Sequence, residues 1–225
     1  MRGSTGLTGD VEIQKLSEEV AERVKARLIG KEAAAGMMIP VGISGRHLHL
    51  TREVLEGLFG RGYELTKLRD LSQPGEFAAN ETVTIIGPRG RAVEGVRLLG
   101  PTRKYTQVEL ARSDGLRLGL ELPVRKTGDL SGTPGLTVVG PRGTVVLKEG
   151  AIRPTRHIHM AKPDGARYGL SDGQKVRVRV GGPSGLIFDN VLVRVSDRYA
   201  LDFHLDTDDA NAAGLNTGDL VEILV

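Results

Sequence analysis

A mainly β protein, built as two β-barrel domains with short helices and an N-terminal amphipathic helix, is the fold class this sequence predicts. Three observations carry that expectation. Glycine supplies 31 of the 225 residues, about twice the ~7% of average usage. Short Val-, Leu- and Ile-rich runs stand between those glycines, as strands stand between tight turns. The chain also resembles itself: RHLHL (46–50) returns as RHIHM (156–160), and GLSDGQKVRV (169–178) returns as GLNTGDLVEI (214–223). Two related barrel-like halves explain these repeats most economically. Aromatic residues make up 4% and Trp is absent, so the core must come from aliphatic side chains.

The first element is helical. In DVEIQKLSEEVAERVKARLIG, Ile13, Leu16, Val20, Val24 and Leu28 recur at helical spacing among Glu, Lys and Arg, which makes one face apolar. Asp10 suits its N-cap and Gly30 its end. GKEAAAG then reads as a linker. Such a helix either packs on its own protein or docks on a partner. Strands are expected at MMIPVGI, TVTIIG, LTVVG, TVVL, KVRVRV, NVLVRV and DLVEILV, with turns at GPRG (87–90 and again 140–143) and GGPSG (181–185). A short helix over Arg52–Leu58, capped by Thr51, follows RHLHL, and a second turn of helix follows RHIHM.

Composition narrows the function. Net charge is +3, from 31 basic against 28 acidic residues, with no concentrated basic stripe of the kind nucleic acid requires. Arginines stand singly beside Gly, Pro or Thr, a setting that suits small anions such as phosphate. Cysteine is absent, which excludes disulfides, thiolate ligands and a cysteine nucleophile. No apolar run reaches the ~20 residues of a membrane span, and the start lacks the apolar segment of a secretory signal. An intracellular protein with no membrane and no nucleic-acid partner is expected.

Four of the five histidines fall in the two RHxH copies. Residues i and i+2 of a strand project from one face, so His47 with His49, and His157 with His159, each form a pair able to meet one metal ion. A single H-x-H is usually a pair of surface histidines; two copies in the same context argue for ligands. QVEL (107–110) aligns with DFHL (202–205), with Gly119-Leu120 then falling on Gly214-Leu215. This sets Glu109 against the fifth histidine, His204. Two sites follow: His47, His49 and Glu109; His157, His159 and His204. Three protein ligands leave a position open, as in catalytic zinc sites. Zinc is the first choice for imidazole-rich ligation, with cobalt, iron and nickel also compatible. Arg103, in a turn leading to Glu109, is placed to hold a phosphate shared with that metal. Gln107 shares the face of Glu109 and can line the site. A cupin-like alternative also exists, because His47, His49, Glu53 and Gly60 match the first cupin spacing; the second cupin motif has no match.

VGISGRHLHLT, QPGEFAANETVTIIGPRG, RLLGPTRKYTQVELA, TGDLSGTPG and IRPTRHIHM, in this order, resemble the PduL family of phosphate acyltransferases across residues 38–225. The resemblance implies exchange of an acyl group between coenzyme A (CoA) and phosphate. It implies one barrel from residues 36–46 plus 155–225 and another from 47–154, preceded by an extension and linker over 1–35. Two metal ions are implied on the six ligands named above, with Arg103 as the catalytic, phosphate-binding arginine and Thr127 in a loop near the acyl group. It further implies a homodimer and residence in the bacterial cytoplasm within a microcompartment, with residues 10–29 docking to shell or core proteins. A metal-dependent direct transfer from propanoyl-CoA or acetyl-CoA is expected. The other classes are a cupin-like or hydrolytic metalloenzyme that needs no phosphate, and a shell-associated protein without turnover.

Overall fold

A computed structural model describes residues 20, 21 and 37–224. The expected helix over 10–29, and any docking role it has, lies outside the described residues except for Val20 and Ala21, which are helical. The chain then runs β1 (Met38–Ser44), β2 (His47–His49), α1 (Arg52–Phe59), β3 (Lys67–Asp70), β4 (Phe77–Ile86) and β5 (Ala92–Gly100). Next come β6 (Gln107–Glu109), α2 (Arg112–Leu118), β7 (Val124–Arg125), β8 (Leu136–Val139), β9 (Thr144–Leu147) and β10 (Ala151–Pro154). The last stretch holds β11 (His157–Met160), α3 (Lys162–Tyr168), β12 (Lys175–Val180), β13 (Leu186–Val195), β14 (Asp202–Asp206), α4 (Thr207–Ala213) and β15 (Leu220–Leu224).

The protein is mainly β, as expected. Six strands close into a barrel in the order β1-β14-β11-β13-β12-β15. Nine form a half-barrel sheet in the order β7-β10-β6-β2-β5-β4-β8-β9, with β3 alongside β4. The first strand leaves its sequence neighbours to complete the barrel, pairing parallel with β14 and antiparallel with β15. Strand β12 shows how alternation builds the barrel wall: Val176, Val178 and Val180 face inward while Lys175, Arg177 and Arg179 face solvent. Ile39, Ile158, Val191, Val193, Phe203 and Ile223 complete that core. A second core under the half-barrel joins Leu48, Leu55, Leu58, Ile85, Leu98, Val108 and Leu118. The GPRG and GGPSG stretches are the hairpin turns β4–β5, β8–β9 and β12–β13.

The internal repeats are structural. Strand β2 followed by α1 corresponds to β11 followed by α3, and β6 followed by α2 to β14 followed by α4. Gly119, Gly169 and Gly214 end their helices in the left-handed conformation, with the amide of the next leucine bonded back to residue 115, 165 or 210, the closure that left-handed caps make. Thr51 caps α1 through its hydroxyl, which accepts from the Val54 amide at 3.3 Å. Helices α2 and α4 had no counterpart in the sequence expectation, because seven residues are too few for a helical period to stand out. Arg153 binds Asp206 and Asp209 at 2.8 and 3.0 Å, tying the half-barrel to the barrel. Asp208 adds to this by accepting from the Ser113 amide and hydroxyl at 2.8 and 2.7 Å.

Candidate metal centres and anion site

Each H-x-H strand has the same partner geometry. Antiparallel pairing of β2 with β6 puts His47 opposite Glu109 and His49 opposite Gln107. Pairing of β11 with β14 puts His157 opposite His204 and His159 opposite Asp202. The two-residue side-chain period of a strand makes such register decisive, since a slip of one residue would turn every side chain to the other face, and here the register brings both three-residue sets together. Within each of the groups His47–His49–Glu109 and His157–His159–His204, one ligand-type atom per residue lies within 4.8 Å of the others.

The four H-x-H imidazoles are buried, and His204 is half-buried. His47 Nδ1 lies 2.8 Å from the Gly45 carbonyl and His157 Nδ1 lies 2.7 Å from that of Thr155. A carbonyl can only accept, so Nδ1 donates in both rings, the tautomer that turns Nε2 toward the rest of its group. The Nδ1 atoms of His49 and His159 are buried with no hydrogen-bond partner. Burial first, then the charges of His47 and Arg103, holds the His49 pKa well below its ordinary value. Burial and the neighbouring His204 push His157 down to about 3; burial, His157 and His204 push His159 down to about 2. Near neutral pH both His157 and His159 are therefore uncharged and able to donate lone pairs. An orphaned, buried imidazole nitrogen in each group is what an imidazole-binding ion satisfies, so these residues fit metal ligation.

Contacts behind the ligands also repeat. Gln107 is fully buried; its amide donates to Glu109 at 2.5 Å and accepts from the Gly128 amide at 2.8 Å. Both ends of Gln107 are thus engaged within the protein. It orients Glu109 and anchors the loop that carries Thr127, which is half-buried. In the barrel, Asp202 stands at the equivalent position and its carboxylate lies 2.9 Å from His204 Nε2. Sequence reasoning missed Asp202, although the alignment that set Glu109 on His204 also set Gln107 on Asp202. Carboxylate partners of ligating histidines fix tautomer and ring orientation. Glu53 of the cupin-like spacing sits exposed in the first turn of α1, away from both groups, because TREVLEGLFG is helical rather than extended.

Arg103 belongs to the first centre. Its amide donates to the Leu50 carbonyl at the end of β2, at 2.8 Å, and its Nη2 meets Glu76 at 2.5 Å. Its positive charge acts on His49. Beneath the second centre, Gly42 of β1 lies opposite His204. A Cβ there falls 2.6 and 2.7 Å from the Asp202 carboxylate oxygens and 2.7 Å from a ring carbon of His204. Gly42→Ala is accordingly expected to cost about 1–3 kcal/mol, the usual range for overpacking. Chemical denaturation of the purified variant checks this, and an unchanged midpoint would mean that the pair has room to move.

A sequence model of the phosphate propanoyltransferase family matches residues 40–216. The chain is 58% identical over 187 residues to a phosphate propanoyltransferase of Thermotoga maritima, covering 83% of this chain and 89% of the relative. It is 45% identical over 215 residues to one of Lachnoclostridium phytofermentans, covering 96% and 99%. A Priestia megaterium relative of the same description is 46% identical over 206 residues, covering 92% and 94%. Among the described residues no helix is long and apolar enough to cross a membrane.

Proposed function

The chain belongs to the phosphate propanoyltransferase family, and on that premise we propose that it moves the acyl group of propanoyl-CoA or acetyl-CoA directly to phosphate, with zinc bound at two centres. One observation carries the proposal: two ligand groups of matching register, each with a buried, unpartnered imidazole nitrogen, with Arg103 beside the first. His47, His49 and Glu109 would hold one ion, and His157, His159 and His204 the other. When bound, zinc supplies Lewis acidity and affinity for a thiolate leaving group.

The residues of the chain do the rest. Arg103 engages phosphate, since a planar guanidinium pairs two of its oxygens and offsets its charge. Only one of its nitrogens is given to Glu76, which leaves further donors for an anion. A phosphate oxygen bonds to the thioester carbonyl carbon, the C–S bond breaks, and CoA leaves as thiolate. No acyl-enzyme is needed, and the chain has no cysteine to form a thioester with it. Gln107 keeps Glu109 in place, and the Thr127 loop, tied to Gln107 through Gly128, borders the acyl group.

We further propose that the assembly is a homodimer of two-domain chains, divided as 36–46 plus 155–225 and 47–154. The apolar stripe of residues 10–29 supports docking to shell or core proteins of a bacterial microcompartment.

Thiol release from propanoyl-CoA, followed with a thiol-reactive dye with and without phosphate, tests the activity. The protein contributes no thiol background. Release that depends on phosphate is the expected result. Release without phosphate would indicate a hydrolytic metalloenzyme, and no release would leave a binding protein.

A further inference from the structure

Residues Leu71–Glu76 connect β3 to β4 and close on themselves, with the Leu71 amide bonded to the Glu76 carbonyl at 3.0 Å. Their side chains nonetheless point away from that turn to two different places. The Ser72 hydroxyl donates to the Asp202 carboxylate across the boundary between half-barrel and barrel. The buried Gln73 amide donates to the Ala200 carbonyl at 3.1 Å and accepts from the Ala200 amide at 3.2 Å. Glu76 holds Arg103 at 2.5 Å. Asp202, almost completely buried, in turn takes His204 Nε2 at 2.9 Å.

We propose that this segment is a brace that positions both centres at once: through Ser72 and Asp202 it sets His204, and through Glu76 it sets Arg103. With Nε2 committed to Asp202, Nδ1 is the nitrogen that His204 has free for an ion. Gln73 locks the segment to the backbone two residues before Asp202, so the Ser72 contact depends on docking of the half-barrel against the barrel. Glu76 restrains a side chain that otherwise samples many rotamers, and so lowers the entropy lost when Arg103 grips an anion. Ser72, Glu76 and Asp202 act here as positioning residues. This inference rests on the metal reading of the His157–His159–His204 group.

Three variants test it by binding and kinetics. Zinc titration of metal-free protein against a chromophoric chelator reads affinity without turnover. Asp202→Asn should weaken one of two zinc equivalents by about 10–100-fold, the usual cost of losing a ligand's supporting partner, and leave the other unchanged. Ser72→Ala, at an exposed residue whose loss does not threaten folding, should weaken the same equivalent by a smaller factor. Glu76→Gln should raise the KM for phosphate several-fold while the KM for propanoyl-CoA stays within a factor of about two. Wild-type zinc affinities in both Asp202→Asn and Ser72→Ala, or equal changes in the two KM values for Glu76→Gln, would overturn the brace. Failure of the wild-type protein to bind zinc would instead overturn the metal reading beneath it.

Discussion

Alanine in place of His159 is expected to remove one of two bound metal equivalents and to reduce turnover by a factor on the order of 10³. His159 is 6% exposed, its pKa is pushed down to about 2 by burial and the two neighbouring histidines, and its Nδ1 has no partner within the protein. A nitrogen kept neutral, buried and unsatisfied is costly unless something binds it. Deleting it removes that cost along with the ligand, so the metal-free variant should fold. A metal that assists charge development at a carbonyl contributes several kcal/mol, and each 1.4 kcal/mol is about tenfold in rate. Elemental analysis and phosphate-dependent thiol release check the two halves of the prediction. Full metal content with full turnover would show that this group of histidines is structural. The corresponding loss at the other centre is expected from His49, whose Nδ1 is likewise orphaned.

Arg103→Ala is expected to cost about 10²–10³ in kcat, the usual effect of removing one preorganised charge partner from a transition state, with both metal equivalents retained. The separation of outcomes follows from geometry. Arg103 is fixed by its amide to the Leu50 carbonyl and by its side chain to Glu76, and it belongs to neither ligand group. Its removal frees Glu76, which is partly exposed and stays solvated. Arg103→Lys should recover only a small part of the activity, because a single ammonium cannot span two phosphate oxygens as a guanidinium does. Saturation with phosphate should restore some of the rate in the lysine variant and little in the alanine variant. Loss of metal from Arg103→Ala would assign this residue to the support of His49 rather than to the anion.

Much of the candidate centres was legible from local pattern. The H-x-H pairs stood out because strand alternation is a property of adjacent residues, and the self-alignment brought in Glu109 and His204 without any knowledge of contacts. Strands such as KVRVRV and the α1 cap at Thr51 were equally visible. Asp202 was not, although it occupies the alignment position of Gln107, because a single aspartate in LDFHLD has no marker of function. The segment Leu71–Glu76 was harder still. Its meaning lies in Ser72, Gln73 and Glu76 reaching partners far along the chain, and no period or motif encodes such reach.

The sequence by itself determined which side chains carry metal-ligand chemistry, on which face of a strand they lie, and that the two sets are copies of one another. Those properties follow from side-chain chemistry and from a two-residue period, both local. Only the tertiary structure decided that β6 lies beside β2 and β14 beside β11 in the same register, that one sheet closes while the other stays a half-barrel, and that a turn of one reaches a carboxylate of the other. Register and docking depend on burying two aliphatic cores together, and burial rewards total apolar area without marking which residues must meet.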